Sequence, residues 1–177
     1  LGIIFLGIRL SLVDLFQYGS KSLAIIVPCI ISSIIIVIIL KDHFKVSNNL
    51  SLLIAVGTSI CGATAIVALA PSINAKKTEI TYAIANITVF GLLAMFLYPI
   101  IANIVFIQES LPIGLFIGSS IHETAQVAGS AMIYAEQYSN QKVIEIATVT
   151  KLVRNSLMVF VIPLLAHRSL NNENSKT

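Results

Sequence analysis

His122, Glu123 and Gln126 fall within "GSSIHETAQ", residues 118–126, in a run from 113 to 134 whose single charged residue is Glu123. An imidazole, a carboxylate and an amide this close together can bind an anion, pass a proton or ligate a metal. Read as helix, His122 and Gln126 lie one turn apart on a shared face, with Glu123 about 100° round. Lys151 and Arg154 add two cations in another apolar run, three residues apart and therefore on one helical face. They can offset an anionic ligand, alternate with a proton on Glu123, or serve structure by pairing with Glu123 or Glu145. The metal reading is the weaker one. "HETAQ" stops one residue short of the zinc pattern H-E-x-x-H, with Gln126 where the second histidine belongs. His43 and His167 lie in connectors far from it. The residues imply no metal, no cofactor and no enzyme, an intramembrane metalloprotease being the alternative in that class.

An earlier stretch, "GTSICGATA" at residues 57–65, opens as the later one does. Gly57-Thr58-Ser59-Ile60 is matched by Gly118-Ser119-Ser120-Ile121. Glycine in a helix interior costs about 1 kcal/mol relative to alanine, and Ser or Thr hydroxyls compete for backbone carbonyls and bend helices. Both stretches therefore predict interrupted helices.

The elements that must position these groups follow from composition. The chain is 56% hydrophobic and 11% charged, with a mean hydropathy of +0.93, where a soluble domain carries about 25% charged residues. Residues 22–40, 50–75 and 80–108 contain no Asp, Glu, Lys or Arg, and about 20 apolar residues suffice to cross a bilayer. The expected fold is all-α, a polytopic membrane protein with discontinuous helices. The net charge of +3 is scattered over the connectors, which gives nucleic-acid binding no support. Cys29 and Cys61 both fall in apolar runs and read as small packing residues rather than a disulfide or ligand pair.

Six elements are expected in one transmembrane domain over 1–167: 1–18, 22–40, 50–70, 82–107, 113–134 and 143–167. Pro71 closes the third, Pro99 predicts a kink in the fourth, and residues 168–177 form a polar, disordered tail. The opening "LGIIFLGI" reads as the second half of a helix already under way, so the chain reads as a fragment lacking an N-terminal half. Assigning alternate connectors to alternate faces puts Arg9, Lys21, Lys76, Lys77 and Lys142 on one side, against Lys41, Lys45, Arg168 and Lys176. Five against four does not orient the protein under the positive-inside rule. An interrupted segment that fails to cross would give the same near tie.

Backbone groups freed in lipid cost several kcal/mol each unless protein or a wet cavity covers them, so neither break should face lipid. For the first, close packing through small residues at Gly57–Cys61 and Gly62–Ile66 spacings is an equal reading. For the second, buried ionisable groups favour function. Broken helices present N–H groups to anionic substrates near mid-depth. A secondary transporter with a site built from two interrupted helices is the leading expectation. A helical subunit without transport is the competitor from another class.

"GTSICGATAIVALAP", "SINAKKTE", "SIHETAQVAG" and "TKLVRN" together resemble the YeiH-type family of bacterial inner-membrane proteins, to which sulfate export is assigned by inference. The likeness runs from residue 1 to about 166. It implies a chain about twice as long, and an architecture like half of a sodium/proton antiporter or bile-acid symporter, with inverted repeats and crossed discontinuous helices. It also implies export of a small anion such as sulfate, with sodium-coupled organic-anion symport as the nearer alternative. Gly57, Thr58, Ser59, Cys61, Gly62 and Thr64 belong to the first signature. Ser120, His122, Glu123, Gln126, Lys151 and Arg154 belong to the later ones, and Ser119 joins them through the repeated tetrapeptide. Thr64 stands where Ser is more usual, and Lys76-Lys77-Thr78-Glu79 where members carry more acid. The implied partners are the bilayer, the anion, a coupling proton or sodium ion, and the remaining half of the same protein, without which the fragment is not expected to transport.

Overall fold

The computed structural model describes the backbone of residues 12–174 and the side chains of 18–167. The opening of the first expected element, with Arg9, lies outside them. Among the described residues there are helices and no strand: α1 (Leu12–His43), α2 (Asn48–Ser59), α3 (Ala63–Leu69) running into a 3-10 turn (Ala70–Ile73), α4 (Lys77–Phe106), α5 (Ser110–Ser120), α6 (Thr124–Tyr138), α7 (Lys142–Ser156) and α8 (Met158–Asn174). The first two expected elements are one helix. Gly19 and Ser20 weaken α1 without breaking it, since neither removes a backbone donor as proline would. Pro28 and Pro99 lie inside helices, and Pro71 opens the 3-10 turn that ends α3. The expected tail is helical as far as Asn174, in keeping with the absence of Gly and Pro after His167.

Both interruptions are present. Helix α2 ends at Ser59 and α3 begins at Ala63, with Gly62 between them at φ 70°, ψ −126°. Helix α5 ends at Ser120 and α6 begins at Thr124, joined through Ile121 (φ −83°, ψ 135°) and Glu123 (φ −99°, ψ 138°) in extended conformation.

The path of the chain differs from six successive elements. Ser47, which caps α2 by accepting from Leu50 N, donates to Glu79 Oε1 at 2.5 Å. Asn49 Nδ2 donates to Ile73 O at 3.2 Å. The start of α2 thus lies beside the end of the 3-10 turn, and residues 48–73 form a re-entrant hairpin that returns to the face it left. The second broken segment does the same. Ser110 Oγ donates to Asn140 Oδ1 at 3.0 Å, and Asn140 Nδ2 donates to Gln108 O at 3.5 Å, which closes the mouth of a hairpin over residues 110–138. Neither segment spans. The physical reason lies in the connectors, whose polar side chains bond to each other across the two ends of one segment.

The chain packs as two compact units. One holds Cys29–Phe90 and the chain from Asn155 onward; the other holds Gly91–Arg154 and α1 up to Pro28. The boundaries fall inside α1, α4 and α7, where no linker marks them. In the former, Leu53, Val56 and Ile60 of α2 meet Ala65, Ile66 and Leu69 of α3 and Ala83 and Ile87 of α4. In the latter, Ile113, Ile117 and Ile121, four residues apart on one face of α5, pack on Val127, Ala131 and Tyr134 of α6. These stripes hold each hairpin shut.

Among the described residues, three stretches are long and apolar enough to cross a membrane: Tyr18–His43, Lys77–Phe106 and Lys142–His167. Ile31, Ile35, Ile36 and Ile39 of α1 are exposed, as are Phe90, Leu93, Phe96, Leu97 and Ile104 of α4. Apolar surface on that scale marks contact with something other than water. The protein is a helical, multi-pass membrane protein.

Candidate functional site

The second hairpin gathers the later candidates. α5 has eleven residues and so is about 16 Å long, roughly half of the ~30 Å hydrocarbon core. With the mouth among headgroups, the tip at 121–123 sits near mid-depth. Two glycines bring α5 onto α7. A Cβ at Gly114 would fall 2.5 Å from Ile146 Cβ, and one at Gly118 would fall 2.6 Å from Ala147 O.

A helix leaves its last four carbonyls without internal partners, and they form the negative end of its dipole. Two cations of α7 answer the end of α5. Lys151 Nζ donates to Ile121 O at 3.1 Å and to His122 O. Arg154 Nη1 donates to Ser119 O. Both side chains are buried, Lys151 fully and Arg154 at 4% exposure. The three-residue spacing that put them on one face thus delivers both to the hairpin tip.

The N-terminal end of α6 is different. Glu123 is its N-cap, with O accepting from Val127 N at 3.0 Å, but the Glu123 side chain makes no capping hydrogen bond. His122 is half-buried, and its Nδ1 has no hydrogen-bond partner among the described residues. Because His122 lies between α5 and α6, outside both helices, His122 and Gln126 do not share a helical face, and the wheel that placed them together is corrected. The break precedes Thr124, so "HETAQ" is not one helix and lacks the geometry of a helical zinc pair. Gln126 is buried with its amide directly against Gly91 of α4, where any Cβ would collide with it.

Two groups were not singled out in the sequence. Ser130, one turn beyond Gln126, is fully buried, and its Oγ has no hydrogen-bond partner among the described residues. Ser22 Oγ of α1 and Thr150 Oγ1 of α7 lie 3.0 Å apart in the interior, with Tyr18 O and Ile146 O each 2.7 Å away, so one hydroxyl donates to the other and the second donates to its carbonyl. The four-residue step from Gln126 to Ser130 was visible; the Ser22–Thr150 pairing, 128 positions apart, had no local signal.

In the first hairpin the signature residues build the turn. Thr58 Oγ1 donates to Ile54 O at 2.6 Å and Ser59 Oγ to Val56 O at 3.3 Å. Gly57 packs on the side chains of Ile66 and Ile87. The positive φ of Gly62 is a conformation that favours glycine. Cys61 is buried with Sγ 3.8 Å from Met158 Sδ, whereas Thr64 is exposed. Both cysteines are free thiols, and Cys29 is exposed on α1 rather than packed.

The model of a family described as "Conserved hypothetical protein 698" matches residues 1–177. A UPF0324 membrane protein of Bacillus cereus is 37% identical over 179 residues, covering 99% of this chain and 48% of the relative. One of Streptococcus agalactiae is 34% identical over 157 residues, 89% of this chain and 46% of its own. One of Fusobacterium nucleatum is 34% identical over 165 residues, 93% and 47% respectively. The chain spans about half the length of these curated relatives. No solved structure matches it.

Proposed function

The chain belongs to the Conserved hypothetical protein 698 family, which includes the YeiH-type proteins its motifs resemble, and from that premise we propose that it forms part of a secondary transporter for a small anion, with sulfate the first substrate to test. The observation that carries the reading is the buried pair Lys151 and Arg154 at the tip of the second hairpin. A cation at membrane depth is retained where it serves a site or pathway.

The electrostatics of a hairpin tip support an anion over a cation. The tip joins the negative end of α5 to the positive end of α6. Lys151 and Arg154 satisfy carbonyls of the negative end, while the Glu123 side chain makes no capping hydrogen bond at the positive one. Two buried cations and one half-buried carboxylate leave the tip with a positive surplus. His122, beside Glu123, supplies an imidazole to an anion or to a proton in transit. Coupling runs through a proton or a sodium ion, and the substrate is moved without chemical change. Because relatives are about twice as long, the transporting unit includes the remaining half of the protein.

Flux of labelled sulfate, and of a panel of small organic anions, into proteoliposomes of the full-length protein tests this. The loss of hydrogen bonds from a charged donor costs about 1.5–3 kcal/mol each, and about 1.4 kcal/mol is tenfold. Lys151→Met should therefore slow flux at least about tenfold, and His122→Ala should slow it measurably. Flux indistinguishable among wild type, Lys151→Met and empty vesicles for every anion would leave a non-transporting membrane subunit as the better account.

A further inference from the structure

The first hairpin gives a bearing that six crossing elements could not, because it returns the chain to the end it left. The connectors 44–47 and 74–76 therefore share a face. This is a matter of contact rather than counting: Ser47 is bonded to Glu79, Asn49 to Ile73 O, and Lys76 N to Glu79 Oε2 at 2.9 Å.

Lys41, Lys45, Lys76 and Lys77, in or beside the two connectors, therefore gather at one mouth. Short connectors rich in Lys and Arg stay on the cytoplasmic side, where anionic headgroups attract them. We propose that the mouth of the first hairpin, ringed by Lys41, Lys45, Lys76 and Lys77, lies in the anionic headgroup layer of the cytoplasmic leaflet.

The side chains suit that placement. Lys45, Lys76 and Lys77 are exposed. Lys41 donates to Asn48 Oδ1 at 2.7 Å and lies 4.0 Å from Asp42, so it is held at the rim. Glu79 is bound into the mouth by Ser47 and the backbone of Lys76.

The inference stands independently of what is transported, and its test has no transport readout. Single cysteines are placed at Asp42 and Thr78, both exposed and neither a lysine, in an otherwise cysteine-free full-length protein in the bacterial inner membrane. A membrane-impermeant maleimide is applied to spheroplasts and to inverted vesicles, with full reaction after detergent solubilisation as the control. Asp42→Cys and Thr78→Cys should both label in inverted vesicles alone, with at least about a tenfold contrast. Labelling of the two from opposite sides would mean that residues 48–73 cross, and would overturn the hairpin path. Labelling of both in spheroplasts would overturn the orientation.

Discussion

The same one-carbon substitution at two glycines should move stability in opposite directions. A Cβ at Gly118 would stand 2.6 Å from Ala147 O and 2.7 Å from Thr150 Cβ, inside the 3.0 Å that real Cβ atoms respect. Neither neighbour can yield cheaply. One is backbone, and the other is a β-branched residue whose Oγ1 is held by Ile146 O at 2.7 Å and Ser22 Oγ at 3.0 Å. To reach an ordinary 3.4 Å contact, α5 and α7 must part by roughly 0.8 Å. Such overpacking costs about 1–3 kcal/mol, against about 0.5–1 kcal/mol gained by replacing glycine with alanine in a helix. Packing wins, and Gly118→Ala should destabilise by about 1–2 kcal/mol. At Gly19 the balance reverses. A Cβ there meets Val153 Cγ2 at 3.6 Å, an ordinary contact, so the helix gain of about 0.5–1 kcal/mol stands alone. The chain has no Trp, so unfolding of the purified full-length protein is followed with a thiol-reactive dye that reads exposure of buried cysteines such as Cys61. At no more than about 2–4 °C per kcal/mol, Gly118→Ala should lower the apparent Tm by a few degrees, and Gly19→Ala should leave it unchanged or slightly raised. A Gly118→Ala protein as stable as wild type would refute the tight α5–α7 seam, and equal losses at both positions would refute the reasoning about contacts.

Two further substitutions probe other parts of the chain by the same melting assay. Gly62→Ala forces a side chain into φ 70°, ψ −126° and should cost about 1–3 kcal/mol, whereas Thr64→Ala, two residues on and exposed, should stay within about 0.5 kcal/mol; equal effects would mean that the first hairpin does not turn at Gly62. Ser130→Ala deletes a buried hydroxyl that has no hydrogen-bond partner among the described residues, so stability should hold or rise by up to about 1 kcal/mol, and a fall of several degrees would show the hydroxyl to be engaged.

Much of this was legible because membranes impose a simple code. Charge-free runs around residues 22–40 and 80–108 announced two of the spans. The paired tetrapeptides at Gly57 and Gly118 announced both breaks, since glycine followed by two hydroxyls weakens a helix wherever it occurs. Lys151 and Arg154 were correctly placed on one face, because α7 is an ordinary helix through both and the 3.6-residue period holds. That same period misled at His122. Nothing in "SIHETAQ" says that one helix stops at Ser120 and the next starts at Thr124, and Glu123 is not a usual N-cap. The wheel was applied across a break that the sequence had flagged only a few residues upstream.

What the sequence could not supply was the direction taken after each break. Residues 50–70 are long enough for a span, and an interrupted helix has the same composition whether it continues or turns back. The information that decides lies in polar pairs between connectors: Ser47 with Glu79, Asn49 with Ile73 O, Ser110 with Asn140. Each pair joins positions 24 to 32 residues apart, so no local period reports it. The requirement behind the pairs is nonetheless general. Helix ends leave backbone groups to be satisfied, and in a bilayer the cheapest place to do so is at the headgroups. A half-length hairpin needs only its tip satisfied in the interior. At the second tip, that task falls to Lys151 and Arg154, which makes two buried cations a consequence of the chain turning back as well as the material for a site.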